Sequence, residues 1–149
     1  QAFEFSAAHR LSCPDLTPEE NHRLFGKCAN PNGHGHNYVL EVTVRGPARD
    51  TPGKPGLPNR PGVPGSAVDL PQLQRVVKER VIERFDHKHL NLDCPEFSAL
   101  NPSVENIARV IWDLLVDALP GGRTSPACGV AAVRVWETPK TYAEYDGTD

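Results

Sequence analysis

His36-Asn37-Tyr38-Val39-Leu40-Glu41-Val42-Thr43-Val44-Arg45 alternates with a period of two: His36, Tyr38, Leu40, Val42 and Val44 share one face, and Asn37, Val39, Glu41, Thr43 and Arg45 the other. Successive side chains of an extended chain point to opposite sides, so this is a strand with one face buried. Upstream, residues 2–8 read as a second strand. Downstream, residues 46–65 hold six of the 15 prolines and five of the 12 glycines. That stretch reads as a long loop, an elaborated hairpin or surface excursion, because the parts on either side are too short to fold as separate domains. Residues 66–69 then form a short strand leading into a helix with Asp69 near its N-cap, Pro71 in its first turn and an apolar stripe of Leu70, Leu73, Val77 and Val81. A second helix starts near Ser103, where Val104, Ile107, Ala108, Ile111, Leu114, Leu115 and Ala118 recur at helical spacing until Pro120-Gly121. Residues 130–137 return to strand with Val133, Val135 and Glu137 on one face, and residues 141–145 form its hairpin partner. The order ββααββ predicts an α+β fold: a four-stranded antiparallel sheet with two helices on one face. The two open edges and bare second face of so small a sheet favour pairing with another copy of the chain.

With 149 residues and 38% hydrophobic side chains, the chain can close one ordinary core, so residues 1–149 are read as a single domain. Nineteen acidic against 16 basic residues give a formal charge of −3, which disfavours a surface for nucleic acid or anionic membrane. No apolar run is long enough for a membrane span, and no basic n-region of a signal peptide is present. The chain reads as soluble and cytoplasmic. It begins at Gln1, which leaves room for a segment upstream. Cys13, Cys28, Cys94 and Cys128 are scattered, form no C-x-x-C pair and read as reduced thiols.

Three of the six histidines, His9, His34 and His36, flank the junction of the first two strands. His34 and His36 leave the same face of an extended segment, and antiparallel pairing of the two strands returns His9 to their side. Three imidazoles without a fourth protein ligand nearby in sequence match a catalytic Zn²⁺ that keeps one position for water or substrate; isolated turn histidines are the plainer alternative. Cys28 sits in a run of turn formers before His34, where a nearby cation would make its thiolate a base or nucleophile, and where a buried structural thiol is the alternative. Asp86-His87 closes the first helix and reads either as a solvated loop or as a catalytic pair. Glu137 faces the packed side of its strand, so it needs a partner there: a structural Arg or Lys, or a planar ligand offering two N–H donors.

The blocks Phe5-Ser6-Ala7-Ala8-His9-Arg10-Leu11, Phe25-Gly26-Lys27-Cys28, Asn30-Pro31-Asn32-Gly33-His34-Gly35-His36-Asn37-Tyr38, Asp86-His87-Lys88, Glu105-Asn106 and Trp136-Glu137-Thr138 occur in series. Together they resemble the 6-pyruvoyl-tetrahydropterin synthase family and its 6-carboxy-tetrahydropterin synthase relatives over nearly the whole chain apart from the Pro/Gly loop. The resemblance implies the tunnelling fold (T-fold), in which three subunits join their sheets into a barrel and two trimers stack as a homohexamer. It implies conversion of 7,8-dihydroneopterin triphosphate to 6-pyruvoyl-tetrahydropterin with loss of triphosphate. By matching positions, it implies His9, His34 and His36 as zinc ligands, Cys28 as general base, Asp86 and His87 as relay partners from a neighbouring subunit, Glu137 as pterin anchor, and Ser103 as a further pterin-binding residue. Arg10 and Lys27 are among the candidates for the triphosphate.

The nearest rival is the 6-carboxy reaction of the 7-deazaguanine (queuosine) pathway on the same substrate. Five residues separate Cys28 from His34, against three in the better-known carboxy enzymes, and this favours the pyruvoyl type. Two other classes stand further off: a Cys28/His87/Asp86 hydrolase in which metal is incidental, and a non-catalytic zinc or pterin-binding protein.

Overall fold

A computed structural model describes residues 1–46, 69–123 and 128–148. The expected strand at 66–69, save Asp69 itself, and nearly all of the Pro/Gly loop lie outside the described residues. The alternating stretch forms β2 (His34–Arg45), in which Tyr38, Leu40 and Val42 are fully buried. It pairs antiparallel with β1 (Ala2–His9), placing Phe5 opposite Tyr38 and His9 opposite His34.

The expected first helix is α2 (Leu70–Val77), with Asp69 at its N-cap position and Pro71 in its first turn. It continues through a π-helical turn at Lys78–Ile82 into α3 (Glu83–Phe85). The stripe is buried through Leu73, Val77 and Val81, whereas Leu70 at the helix entry is exposed. The second expected helix is α5 (Val104–Val116), capped by the Ser103 hydroxyl, which accepts from Asn106 N. Val104, Ile107, Ala108, Ile111 and Leu115 meet Phe5, Tyr38, Leu40, Val42, Val133 and Val135 in one core between helices and sheet.

Strand β4 (Gly129–Thr138) runs antiparallel to β2 and forms the expected hairpin with β5 (Thr141–Tyr145). The sheet departs from expectation in one respect. Among the described residues it has five strands in the order β3-β1-β2-β4-β5, because β3 (Lys88–His89) pairs parallel with Ala7 and Ala8 of β1, so it is mixed rather than purely antiparallel. Two residues carry no periodicity; this strand exists because the Asp86–His87 turn is tied to β1, with His87 N donating to Ser6 O at 2.6 Å.

Two further short helices also depart from the two-helix reading. One is α4 (Leu90–Asp93), and the other is α1 (Pro18–Phe25), which is fixed by a capping box: Glu20 N donates to Thr17 Oγ1 at 3.2 Å and Thr17 N to the Glu20 carboxylate at 2.8 Å. On the face of the sheet away from the core, Arg134 bonds Glu144 at 2.8 Å and Glu41 at 3.4 Å, and the Trp136 and Tyr142 rings lie 4.4 Å apart. No helix among the described residues is long and apolar enough to cross a membrane.

Candidate metal centre and catalytic site

The β1–β2 register brings the three histidines together. One nitrogen from each of His9, His34 and His36 lies within 4.8 Å of the others. His9 is fully buried, and its Nδ1 lies 2.8 Å from the carbonyl oxygen of Pro102. A carbonyl only accepts, so Nδ1 carries the proton and Nε2 of the neutral ring presents a lone pair. That Nε2 stands 3.1 Å from His34 Nε2 and 3.4 Å from Glu137 Oε1. Among the described residues His36 Nε2, a buried atom, has no hydrogen-bond partner, and it lies 3.4 Å from the same Glu137 oxygen. Ring nitrogens gathered this closely at a partly buried site are what a cation requires.

Burial, first of all, lowers the His34 pKa, and the His9 and His36 rings add to it; burial likewise lowers that of His36, against the opposing pull of Glu137. Both shifts favour the neutral imidazole, the form that ligates a metal. The donor set therefore fits a borderline divalent ion such as Zn²⁺, and His9, His34 and His36 are the residues that could hold it.

Cys28 closes one side. It lies in a 3-10 turn (Gly26–Ala29) whose Cys28 carbonyl accepts from Leu11 N at 2.7 Å, pinning the turn to the chain just beyond β1. Its Sγ is 3.2 Å from His34 Nε2. Desolvation, and then the Glu137 charge, push its thiol above the ordinary pKa, so the ion-free site holds a protonated sulfur. Gly33, at φ +70°, lets the loop pass so close to β1 that a Cβ there would stand 2.5 Å from the His9 carbonyl oxygen.

Glu137 is on the buried side, as its parity requires, and it sits where the register shifts between Trp136 and Thr138. Its partners there are His9 and His36 instead of a structural Arg or Lys. The Tyr38 phenol, fully buried beside His36 and His9, is pushed above its usual pKa by burial and then by Glu137 and Cys28, and stays protonated.

Asp86 and His87 do touch. His87 Nδ1 is 2.8 Å from Asp86 Oδ2, and Asp86 also accepts from Ser6 N at 2.8 Å. The Ser6 amide first, and the His87 bond second, lower the Asp86 pKa. No hydrogen bond joins this pair to Cys28 among the described residues. It stands at the β3 edge, where the His87 side chain is 82% exposed, its backbone has φ +58°, and the residue faces an open groove of about 510 Å³ with Ser6, Asn37, Lys88 and His89. Ser103 stands at the entry to α5, next to the Pro102 carbonyl that holds His9.

The family description "6-pyruvoyl tetrahydropterin synthase" matches residues 1–148. The chain belongs to this family. It is 38% identical over 145 residues to the 6-pyruvoyl tetrahydrobiopterin synthase of Homo sapiens, covering 97% of this chain and 88% of that one. The structure of Caenorhabditis elegans 6-pyruvoyl tetrahydropterin synthase superposes with a TM-score of 0.80 at 32% identity, covering 99% of this chain and 93% of that one. A 6-carboxy-5,6,7,8-tetrahydropterin synthase from Haemophilus influenzae is 24% identical over 160 residues, covering 96% of this chain and 94% of that one. The chain is accordingly a lyase of the pterin-synthase type, and tetrahydropterin biosynthesis is the chemistry of its family.

Sequence reasoning missed the side chains that hold the site in place. Asn91 pairs with the Arg10 backbone in both directions, and Asn101 does the same with Ser12, so the chain after β1 is gripped by amides as if by another strand. An asparagine near a turn gives no sign in the sequence of which distant backbone it will bind.

Proposed function

We propose that this chain is a zinc-dependent synthase converting 7,8-dihydroneopterin triphosphate to 6-pyruvoyl-tetrahydropterin with loss of triphosphate. One observation carries the reading: three imidazoles, one buried and two half-buried, converge beside a half-buried thiol. Zinc held by His9, His34 and His36 supplies Lewis acidity that draws electron density from the hydroxylated side chain of the substrate and acidifies its C–H bonds. Cys28 is the base that takes the carbon-bound proton, since its sulfur is aimed at the pocket and a cation beside a thiol lowers its pKa. Glu137 accepts two N–H bonds from the pterin edge. The Ser103 hydroxyl, which accepts from the α5 amide, keeps its own hydrogen to donate to the pterin.

Asp86 orients His87, which returns protons to the ring carbons. Because the pair stands at the sheet edge away from Cys28, we assign it to the Cys28 of a neighbouring copy, in a hexamer that joins the open β3 and β5 edges. The whole of residues 1–149 is read as one such domain, working in the cytoplasm without nucleic acid or membrane.

The 6-carboxy reaction is the second reading, supported by the weaker match to the Haemophilus influenzae protein and opposed by the stronger matches to pyruvoyl enzymes. Mass spectrometry of products from dihydroneopterin triphosphate decides between them. The expected result is the pyruvoyl product, abolished by a zinc chelator and by Cys28→Ala. Release of acetaldehyde selects the carboxy enzyme. Turnover that survives chelation selects a cysteine hydrolase, and pterin binding without turnover a binding protein.

A further inference from the structure

The His9 ring works as a ligand only if its proton stays on Nδ1, and that depends on where the Pro102 carbonyl stands. Residues 101–103 belong to no helix or strand, yet nearly every polar group in them is tied down. The Asn101 side chain accepts from Ser12 N at 3.0 Å and donates to Ser12 O at 2.9 Å. The Asn101 carbonyl accepts from Asn106 Nδ2 and from Ser103 N, both at 2.8 Å. The Ser103 carbonyl accepts from Ile107 N at 2.9 Å, starting the helix. Between these anchors, the Pro102 carbonyl points at His9 Nδ1.

We propose that Asn106 and Asn101 are positioning residues for the metal centre: together they fix the Pro102 carbonyl and thereby hold His9 in the tautomer that offers Nε2. The inference rests on the metal reading above and adds the device that sets its affinity. Partners that orient a ligating imidazole typically govern metal affinity by 10–100-fold. A purely architectural role for the same amides would weaken the fold and the metal site in proportion. Asn106→Asp separates the two, because it keeps the size of the side chain and places a carboxylate in the first turn of α5, where the helix dipole favours it, while removing the N–H that holds the Asn101 carbonyl.

The test measures three quantities on the parent, Asn106→Asp and Asn101→Ala: zinc affinity by competition with a chromophoric chelator, the His9 tautomer of the metal-free protein by long-range ¹H–¹⁵N NMR, and the melting temperature without metal. The expected result for Asn106→Asp is a loss of zinc affinity of about tenfold or more, a His9 signal mixing Nδ1–H and Nε2–H, and melting close to the parent. Zinc affinity within about twofold of the parent, or a His9 proton that stays wholly on Nδ1 in both variants, overturns the proposal. A loss of affinity that tracks the loss of melting temperature across both variants also overturns it. Were the parent itself to bind no zinc, the metal reading would fall, and the tautomer measurement on metal-free protein would still decide whether the clamp acts on His9.

Discussion

Gly33→Ala tests whether the site depends on the close approach of the His34 loop to β1. Gly33 has φ +70°, and an added Cβ would stand 2.5 Å from the His9 carbonyl oxygen and 2.9 Å from His89 Nε2. The first atom is backbone in a paired strand, and real Cβ contacts essentially never fall below 3.0 Å, so the loop and strand must part by at least about 0.5 Å. Forcing a left-handed conformation on alanine costs about 1–2 kcal/mol. Overpacking against a fixed neighbour adds about 1–3 kcal/mol. Together these amount to roughly 2–5 kcal/mol, a melting temperature lower by roughly 5–15 °C for a chain of this size.

Gly122→Ala is the matched control. Its φ is +53° and nothing among the described residues lies within 4 Å of the added Cβ, so only the conformational cost is expected. Thermal unfolding followed by circular dichroism, with a chelator present throughout, compares the two. Zinc titration of both variants adds the functional readout, because the displaced atoms belong to His9 and to the loop carrying His34. Equal destabilisation by the two substitutions would refute the close-approach argument, as would unchanged zinc affinity in Gly33→Ala.

Cys28→Ala should retain bound metal, measured by elemental analysis, while turnover of dihydroneopterin triphosphate falls by about 10²–10⁴-fold, the usual contribution of a positioned base. The metal-free protein should lose stability in mild acid. Burial holds His34 and His36 below the usual 6.5, so the unfolded chain takes up protons more readily; the associated stability is full above about pH 6.5 and lost as pH falls through the lower folded-state values. Melting curves from pH 7.5 to 5 check this, and His36→Asn should flatten the slope. Asn21→Ala should destabilise by about 2–4 kcal/mol in urea unfolding, because its buried amide accepts from Cys13 N and donates to the Cys13, Leu16 and Thr17 carbonyls. A loss under about 1 kcal/mol would mean those groups find other partners.

What was legible in the sequence was whatever repeats locally. The alternation of β2 identified both the strand and its buried face, and the spacing of Val104, Ile107, Ile111 and Leu115 identified α5 and its start near Ser103, though not the capping bond that Ser103 makes. The histidine trio was legible because His34 and His36 share parity and the hairpin returns His9 to them. The α1 helix was missed although Thr17-Pro18-Glu19-Glu20 carries its start signal, because its eight residues show no clear apolar stripe. The β3 strand was beyond reach: Lys88 and His89 pair with β1 only after the chain has folded around them. Glu137 was placed on the inner face by its parity, but its imidazole partners come from two other strands, and nothing in the sequence around it announces them.

The direct opposition of His9 and His34 makes the site a proofreader of strand alignment. Sliding one strand past the other by a single position would turn one imidazole to the opposite surface and dismantle the cluster. An ion bound by the trio, as proposed above, would therefore reward only the correct pairing, and the energy of its capture would add to the cohesion of the first hairpin.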